Sequence, residues 1–134
     1  MNADAIYADE STITGSIGIF GLFMTGPRVL DKLGVSTDGV GTTPLAGAFD
    51  PTRPLDPNVG VIIQSVIEKG YADFIGKVAD ARESTPEQID VHARGRVWSG
   101  AQAKERGLVD ELGGFRDALE AAASLAKLEE GSYG

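Results

Sequence analysis

The chain has 134 residues, 42% of them hydrophobic and 24% charged, with a net charge of −8 and no cysteine. This size and composition predict one globular domain with a hydrophobic core, and the acidity disfavours nucleic acid or an anionic membrane surface as a partner. The lack of cysteine excludes disulfides, thiolate metal ligands and a cysteine nucleophile. No apolar run approaches the roughly 20 residues of a membrane span.

The amino-terminal part of the chain predicts two strands. Residues 4–8 predict a short buried strand, and residues 13–24 predict a second strand that contains Gly15, Gly18 and Gly21. Glycine inside a strand indicates that another group approaches the backbone closely, or that the strand bends. Ser16 stands between two of these glycines and is the polar side chain that we place beside this approach.

The middle of the chain predicts helices separated by a long loop. Thr25-Gly26-Pro27 is typical of a helix start, with Thr25 as the cap, and the loose alternation over residues 35–41 predicts a strand. Four prolines prevent a regular helix over residues 41–57. From Pro57 to about Arg82 the apolar residues keep helical spacing, which predicts the longest helix.

Two capping boxes follow in the carboxy-terminal third. Thr85 with Gln88 and Ser99 with Gln102 each have the spacing of a reciprocal helix cap. They predict a helix over 86–94 and another that ends at Gly107, with a short extended piece between them at 96–98. A last helix is predicted from Phe115 to about Leu128.

Few side chains in this sequence indicate a catalytic or metal-binding site. The single histidine, His92, has no cysteine or second histidine with which to form a usual zinc site, so we interpret it as a surface residue. Of the eight serines, Ser16 alone lies among small residues where a second backbone or a ligand fits. The alternative is that Ser16 only satisfies a neighbouring backbone group. We expect no metal and no cofactor.

Several segments in order resemble the signal peptide peptidase SppA family, also called protease IV. The run from Glu10 to Phe20 is similar to its Leu/Ile-Thr-Gly-Ser-Ile-Gly segment. Later pieces that match in the same order are Leu33–Val35, Thr42–Ala46, Ser84–Asp90, Gly95–Gly100, Ala101–Lys104 and Gly107–Gly113. The match is best with the carboxy-terminal half of the long bacterial form, which has two related halves.

The resemblance implies an α/β fold, a ClpP/crotonase-like spiral of β-β-α units, truncated here at its amino-terminal side. Residues 1–134 would be the carboxy-terminal part of one such peptidase domain. The implied activity is that of a serine endopeptidase with a Ser-Lys dyad, which degrades cleaved signal peptides. The serine attacks the peptide carbonyl, and an unprotonated lysine takes its proton.

Neither dyad residue is expected in this chain. In the family the nucleophile lies in a Ser-Gly-Gly segment about twenty residues before the Thr-Gly-Ser-Ile-Gly run, and in short relatives the lysine falls where this chain has Ala46. In the long form the lysine comes from the other half of the polypeptide. The resemblance leaves Ser16 as a hydrogen-bond partner of the lysine amine, with Thr14 and Gly15 shaping the same wall, and it predicts that this chain alone is inactive.

The resemblance also implies partners and a location. These are signal peptides, the amino-terminal half of the same enzyme, and further copies in a ring or dome, with the helix at 57–82 and the loop at 42–57 as candidate contacts. The full-length protein would sit at the bacterial inner membrane with its catalytic part periplasmic, attached only through segments outside this chain, which by itself would be soluble. The alternatives are a crotonase-type acyl-CoA enzyme and a non-catalytic assembly module of the same fold.

Overall fold

The computed structural model describes residues 3–128. These residues fall into two compact units. The first unit contains residues 3–18 and 72–128, and the second contains residues 19–71. In chain order the elements are β1 (Tyr7–Ala8), β2 (Ile13–Gly15), α1 (Pro27–Lys32), α2 (Pro57–Ala81), α3 (Pro86–Asp90), β3 (Val97–Ser99), α4 (Gly100–Glu105), β4 (Glu111–Leu112) and α5 (Phe115–Leu125). The mixed α/β class is therefore confirmed.

The first unit contains two small sheets. β1 pairs in parallel with β4, so that Tyr7 lies opposite Glu111. β2 pairs antiparallel with β3, and Thr14 lies opposite Trp98. Around β1 and β4 the buried core is made of small and branched side chains, with partly buried apolar residues packed against it: Ala8, Ala103 and Val109, then Ile6, Trp98 and Leu108.

Both predicted capping boxes are present. The Thr85 hydroxyl accepts from the Gln88 backbone N–H at the start of α3, and the Ser99 hydroxyl accepts from that of Gln102 at the start of α4. α3 is shorter than predicted, because the His92 and Ala93 N–H groups donate to carbonyls only three residues back, and the chain then turns at Arg94 and Gly95, with φ values of 59° and 72°. The left-handed region cannot continue a right-handed helix.

The second unit holds α1, the first part of α2 and the connection between them. That connection is held by Asp50, whose carboxylate accepts hydrogen bonds from the backbone N–H and the hydroxyl of Thr52. These bonds lower the pKa of Asp50 below its usual value. The Gly26 N–H also donates to the Pro51 carbonyl at 2.8 Å, which joins the start of α1 to the same connection.

Other sequence predictions of secondary structure were also wrong. The strand predicted over 13–24 is regular only from Ile13 to Gly15, because only these residues face a partner strand. Residues 35–41 form no strand, since no neighbouring segment pairs with them within 3–128. The cap of α1 is Gly26 rather than Thr25. Within the same residues, no helix combines the length and apolar character needed to cross a membrane.

Candidate functional site

The candidate site begins where β2 ends. Gly15 and Ser16 have φ values of 86° and 51°, so two successive residues lie in the left-handed region. For a residue with a side chain this conformation costs roughly 1–2 kcal/mol. Ser16 is held there because its N–H donates to the Arg96 carbonyl at 2.8 Å. Its side chain is exposed, and its hydroxyl makes no hydrogen bond to any residue that the structure describes.

Gly15 is fixed by the close approach of β3. A Cβ at this position would lie 2.8 Å from the Arg96 carbonyl oxygen and 2.9 Å from Trp98 Cδ1, which leaves no room for a side chain. The indole is itself held in place, since Nε1 donates to the His92 carbonyl at 2.9 Å and the Arg106 guanidinium lies 3.9 Å from the ring centroid. The strand glycine thus marks a close approach, as the sequence predicted.

Gly18 shows a second close approach. A Cβ there would lie 2.6 Å from the Gly95 backbone nitrogen, and the Gly95 N–H donates to the Ile17 carbonyl at 2.9 Å. The turn that follows α3 is thereby held against the residues immediately after Ser16. The predicted site segment and the Gly95–Gly100 segment, which the sequence treated as separate pieces, lie side by side.

A cavity of about 250 Å³ opens beside this strand end in the first unit. Thr14 and Gly15 line it, together with apolar side chains and the charged residues Asp4, Arg82 and Asp110. Ser16 does not line this cavity, although its two predecessors do. The structure therefore brings together two of the three predicted site residues around one concave surface, and presents the third to solvent.

Sequence reasoning missed the charged network at this cavity. Arg82 donates to Asp110 Oδ1 at 2.6 Å and to the Leu108 carbonyl at 2.9 Å. The other oxygen of Asp110 accepts from the Ile6 N–H at 2.7 Å, just before β1. These bonds join the carboxy-terminal end of α2 to the edge of the β1–β4 sheet. Asp110 lies inside a segment that matched the family, but no local pattern identified Arg82 as its partner.

Other titratable groups near the site have supporting roles. The Asp9 carboxylate accepts from the Ser11 hydroxyl at 2.7 Å and from the Ser11 N–H at 3.0 Å, and these bonds lower the pKa of Asp9. His92, predicted to lie at the surface, is partly buried and packs edge-on against Trp98 with the ring centroids 6.4 Å apart. Within residues 3–128, no three acidic or histidine side chains are grouped as metal ligands would be.

Comparison with known proteins identifies the family. The model of "Peptidase family S49" matches residues 1–129. Among similar proteins, Protease 4 of Salmonella typhi is 53% identical over 128 residues, and Protease 4 of Haemophilus influenzae is 46% identical over 123 residues. The "Putative signal peptide peptidase SppA" of Enterococcus faecium is 33% identical over 128 residues.

These matches cover nearly all of this chain but a small part of the relatives. They span 96%, 92% and 96% of the chain, and 21%, 20% and 37% of the respective relatives. The chain therefore corresponds to about a fifth of each Protease 4 and just over a third of the Enterococcus protein. With a family match across residues 1–129, the chain belongs to peptidase family S49.

Proposed function

We propose that this chain forms part of the active-site wall of a serine endopeptidase that degrades signal peptides. Membership of a peptidase family supports the proteolytic activity, and the similarity to the putative signal peptide peptidase of Enterococcus faecium supports signal peptides as the substrate class. The observation that carries the proposal is the Ser16 hydroxyl. It is exposed and lacks a partner within the described residues, on a strand end whose backbone is fixed by Arg96 and Trp98.

In the proposed mechanism, a serine and a lysine outside this chain form the catalytic dyad. The serine oxygen attacks the substrate carbonyl while the neutral lysine amine takes the serine proton. The lysine ammonium then gives that proton to the departing amine as the peptide bond breaks, and water, deprotonated by the same lysine, hydrolyses the acyl-enzyme and restores the serine. A lysine must lose most of its solvation to be neutral near pH 7. Its single lone pair faces the serine proton, so its two N–H groups need acceptors. The Ser16 hydroxyl oxygen supplies one acceptor and so orients the lone pair, while Thr14 and Gly15 shape the adjoining wall.

The same proposal covers the rest of the protein. The lysine comes from another part of the polypeptide, since this chain has Ala46 at the position where short relatives have the lysine. Ala46 lies in a series of turns in the second unit. The complete enzyme adopts the ClpP/crotonase-like spiral and assembles into a ring or dome. Its catalytic part faces the periplasm at the bacterial inner membrane, and the present chain is inactive by itself.

The test uses the full-length enzyme with Ser16→Ala and Ser16→Gly, and with Ser65→Ala as the matched control. Ser65 lies exposed on α2, where its hydroxyl donates only to the Ile62 carbonyl of the same helix. Both Ser16 variants lose the hydroxyl, but glycine also removes the left-handed strain. We expect both to reduce kcat/KM at least about tenfold, while Ser65→Ala retains full activity.

The pH profile separates a role at the lysine from a structural one. The Ser16 oxygen accepts from the charged amine more strongly than from the neutral one, so losing it lowers the lysine pKa, and the acidic limb of kcat/KM should move to lower pH in both Ser16 variants. Wild-type activity with an unshifted limb would remove Ser16 from the mechanism. Labelling of the wild-type enzyme by a fluorophosphonate distinguishes a serine peptidase from a non-catalytic module, and stabilisation by coenzyme A would instead favour the acyl-CoA alternative.

A further inference from the structure

Two consecutive residues of the turn that leads into β3 hold the backbone on both sides of Ser16. The Ser16 N–H donates to the Arg96 carbonyl at 2.8 Å, and the carbonyl of the next residue, Ile17, accepts from the Gly95 N–H at 2.9 Å. Ser16 has a φ of 51°, a conformation that a residue with a side chain keeps only when its surroundings hold it there. The direction of the Ser16 hydroxyl therefore depends on where Gly95 and Arg96 lie.

The Arg96 side chain fixes the position of this turn. Its Nε donates to the Ala93 carbonyl at 3.0 Å, and its Nη2 donates to the Asp90 carbonyl at 3.2 Å. The Arg96 backbone N–H donates to the same Ala93 carbonyl at 3.3 Å. Asp90 is the last residue of α3, and the carbonyls at a helix end favour a cation as their hydrogen-bond partner. The guanidinium thus joins the end of α3 to the start of β3.

The geometry of these bonds requires an arginine. A guanidinium presents its donors in a fixed planar fork that reaches two carbonyls at once, whereas the ammonium of a lysine is a single point of charge. Arg96 is exposed, and among residues 3–128 its guanidinium pairs with no carboxylate. The nearby Asp90 carboxylate accepts instead from Arg94 Nε at 2.9 Å. The contacts of Arg96 therefore hold the backbone around Ser16 and form no salt bridge.

We propose that Arg96 is a positioning residue of the peptidase reaction and acts through the Ser16 hydroxyl. This role rests on the proposed function of Ser16 as an acceptor for the lysine amine. While the guanidinium is in place, the Arg96 carbonyl and the Gly95 N–H keep Ser16 in its left-handed conformation. Without it the turn relaxes and Ser16 leaves that conformation, so the hydroxyl is still present but points away from the amine.

Hydrogen exchange in the purified chain tests the geometric step independently of activity. In Arg96→Met, the Ser16 and Gly95 amides should exchange at least about tenfold faster than in wild type, because their hydrogen bonds open more often. Arg116→Met is the matched control, since Arg116 is exposed on α5 and makes no hydrogen bond or ion pair within residues 3–128. Unchanged exchange in Arg96→Met overturns the proposal. Equal acceleration in Arg116→Met, or throughout α5, also overturns it, because the effect would then be general destabilisation.

In the full-length enzyme, the sign of the pH shift separates positioning from loss of charge. A displaced Ser16 acceptor lowers the lysine pKa, so Arg96→Met should move the acidic limb of kcat/KM to lower pH, as Ser16→Ala does. Loss of a nearby positive charge would instead raise the lysine pKa and move the limb to higher pH. Arg96→Met should reduce kcat/KM at least about fivefold. Arg96→Lys keeps the charge but not the fork, so full activity in this variant would overturn the proposal, as would a limb at higher pH in Arg96→Met.

A double variant tests whether Arg96 acts through Ser16. Ser16→Ala with Arg96→Met should be within about twofold of Ser16→Ala alone, because the hydroxyl that Arg96 positions is already gone. Losses that multiply would mean that Arg96 acts elsewhere and would overturn the proposal. If Ser16→Ala alone keeps wild-type activity, the proposed function fails and the positioning role fails with it. If Ser16→Ala is impaired and Arg96→Met is not, only the role of Arg96 fails.

Discussion

Gly18→Ala tests how the strand end at the candidate site is held. An added Cβ would lie 2.6 Å from the Gly95 nitrogen, 2.9 Å from Gly95 Cα and 3.4 Å from the Arg94 carbonyl carbon. All three are backbone atoms, so no flexible side chain can move aside, and the two chain segments must separate by about 1 Å. That separation also stretches the hydrogen bond from the Gly95 N–H to the Ile17 carbonyl.

The expected cost combines overpacking with this weakened bond. Overpacking costs about 1–3 kcal/mol and a backbone hydrogen bond contributes about 1 kcal/mol, so Gly18→Ala should lower the free energy of unfolding by about 2–4 kcal/mol. Urea unfolding followed by circular dichroism measures the change. A loss under about 0.5 kcal/mol would refute the close approach as the reason for glycine at this position.

The matched control is Gly76→Ala. Gly76 lies inside α2, and an added Cβ there would meet no heavy atom within 4 Å apart from its chain neighbours and the backbone of its own helix. Alanine is favoured over glycine in a helix interior by about 0.8–1.0 kcal/mol, so this variant should be more stable than wild type. Destabilisation by both substitutions would mean that an added methyl group is costly in this chain even without a close contact, and the loss at Gly18 would then not identify the contact with Gly95.

The remaining predictions concern two polar groups near the same strands. In a double-mutant cycle of Arg82→Met and Asp110→Asn, urea unfolding should give a coupling free energy of about 1 kcal/mol between the two side chains. Arg82→Met should be the more destabilising single change, because it also removes the hydrogen bond to the Leu108 carbonyl. Coupling near zero would contradict the ion pair. Because hydrogen bonds from Ser11 lower the pKa of Asp9 below 3.8, its stabilising contribution is present above that value and lost as the pH falls through the folded pKa. Asp9→Asn should therefore flatten the loss of stability below about pH 4, and identical acid unfolding curves for variant and wild type would count against it.

Local signals explain which elements the sequence predicted. The boxes at Thr85 and Ser99 need only a side chain and a backbone group three residues away, so a single sequence contains all the information. The long helix was predicted from Pro57 to about Arg82 and runs from Pro57 to Ala81. Apolar spacing over twenty-five residues leaves little ambiguity about element type.

Contacts between distant residues explain what the sequence did not predict. β2 ends at Gly15 because β3, more than eighty residues later in the chain, supplies partners only for Ile13 to Gly15. The Ile6 N–H finds its acceptor on Asp110, 104 residues away. Periodicity identifies the type of an element, but strand pairing and the walls of a cavity depend on which segments meet. The role of Ser16 stays a prediction, since its hydroxyl makes no hydrogen bond to any described residue.

The position of Trp98 gives this protein an intrinsic optical reporter. It is the single tryptophan in the chain, and its indole ring lies directly against Gly15 while donating to the His92 carbonyl. Indole emission responds to local polarity, so any event that lifts the strand away from the ring and admits solvent would shift the fluorescence. Movements at the edge of the cavity can thus be followed without a dye, in the unmodified polypeptide.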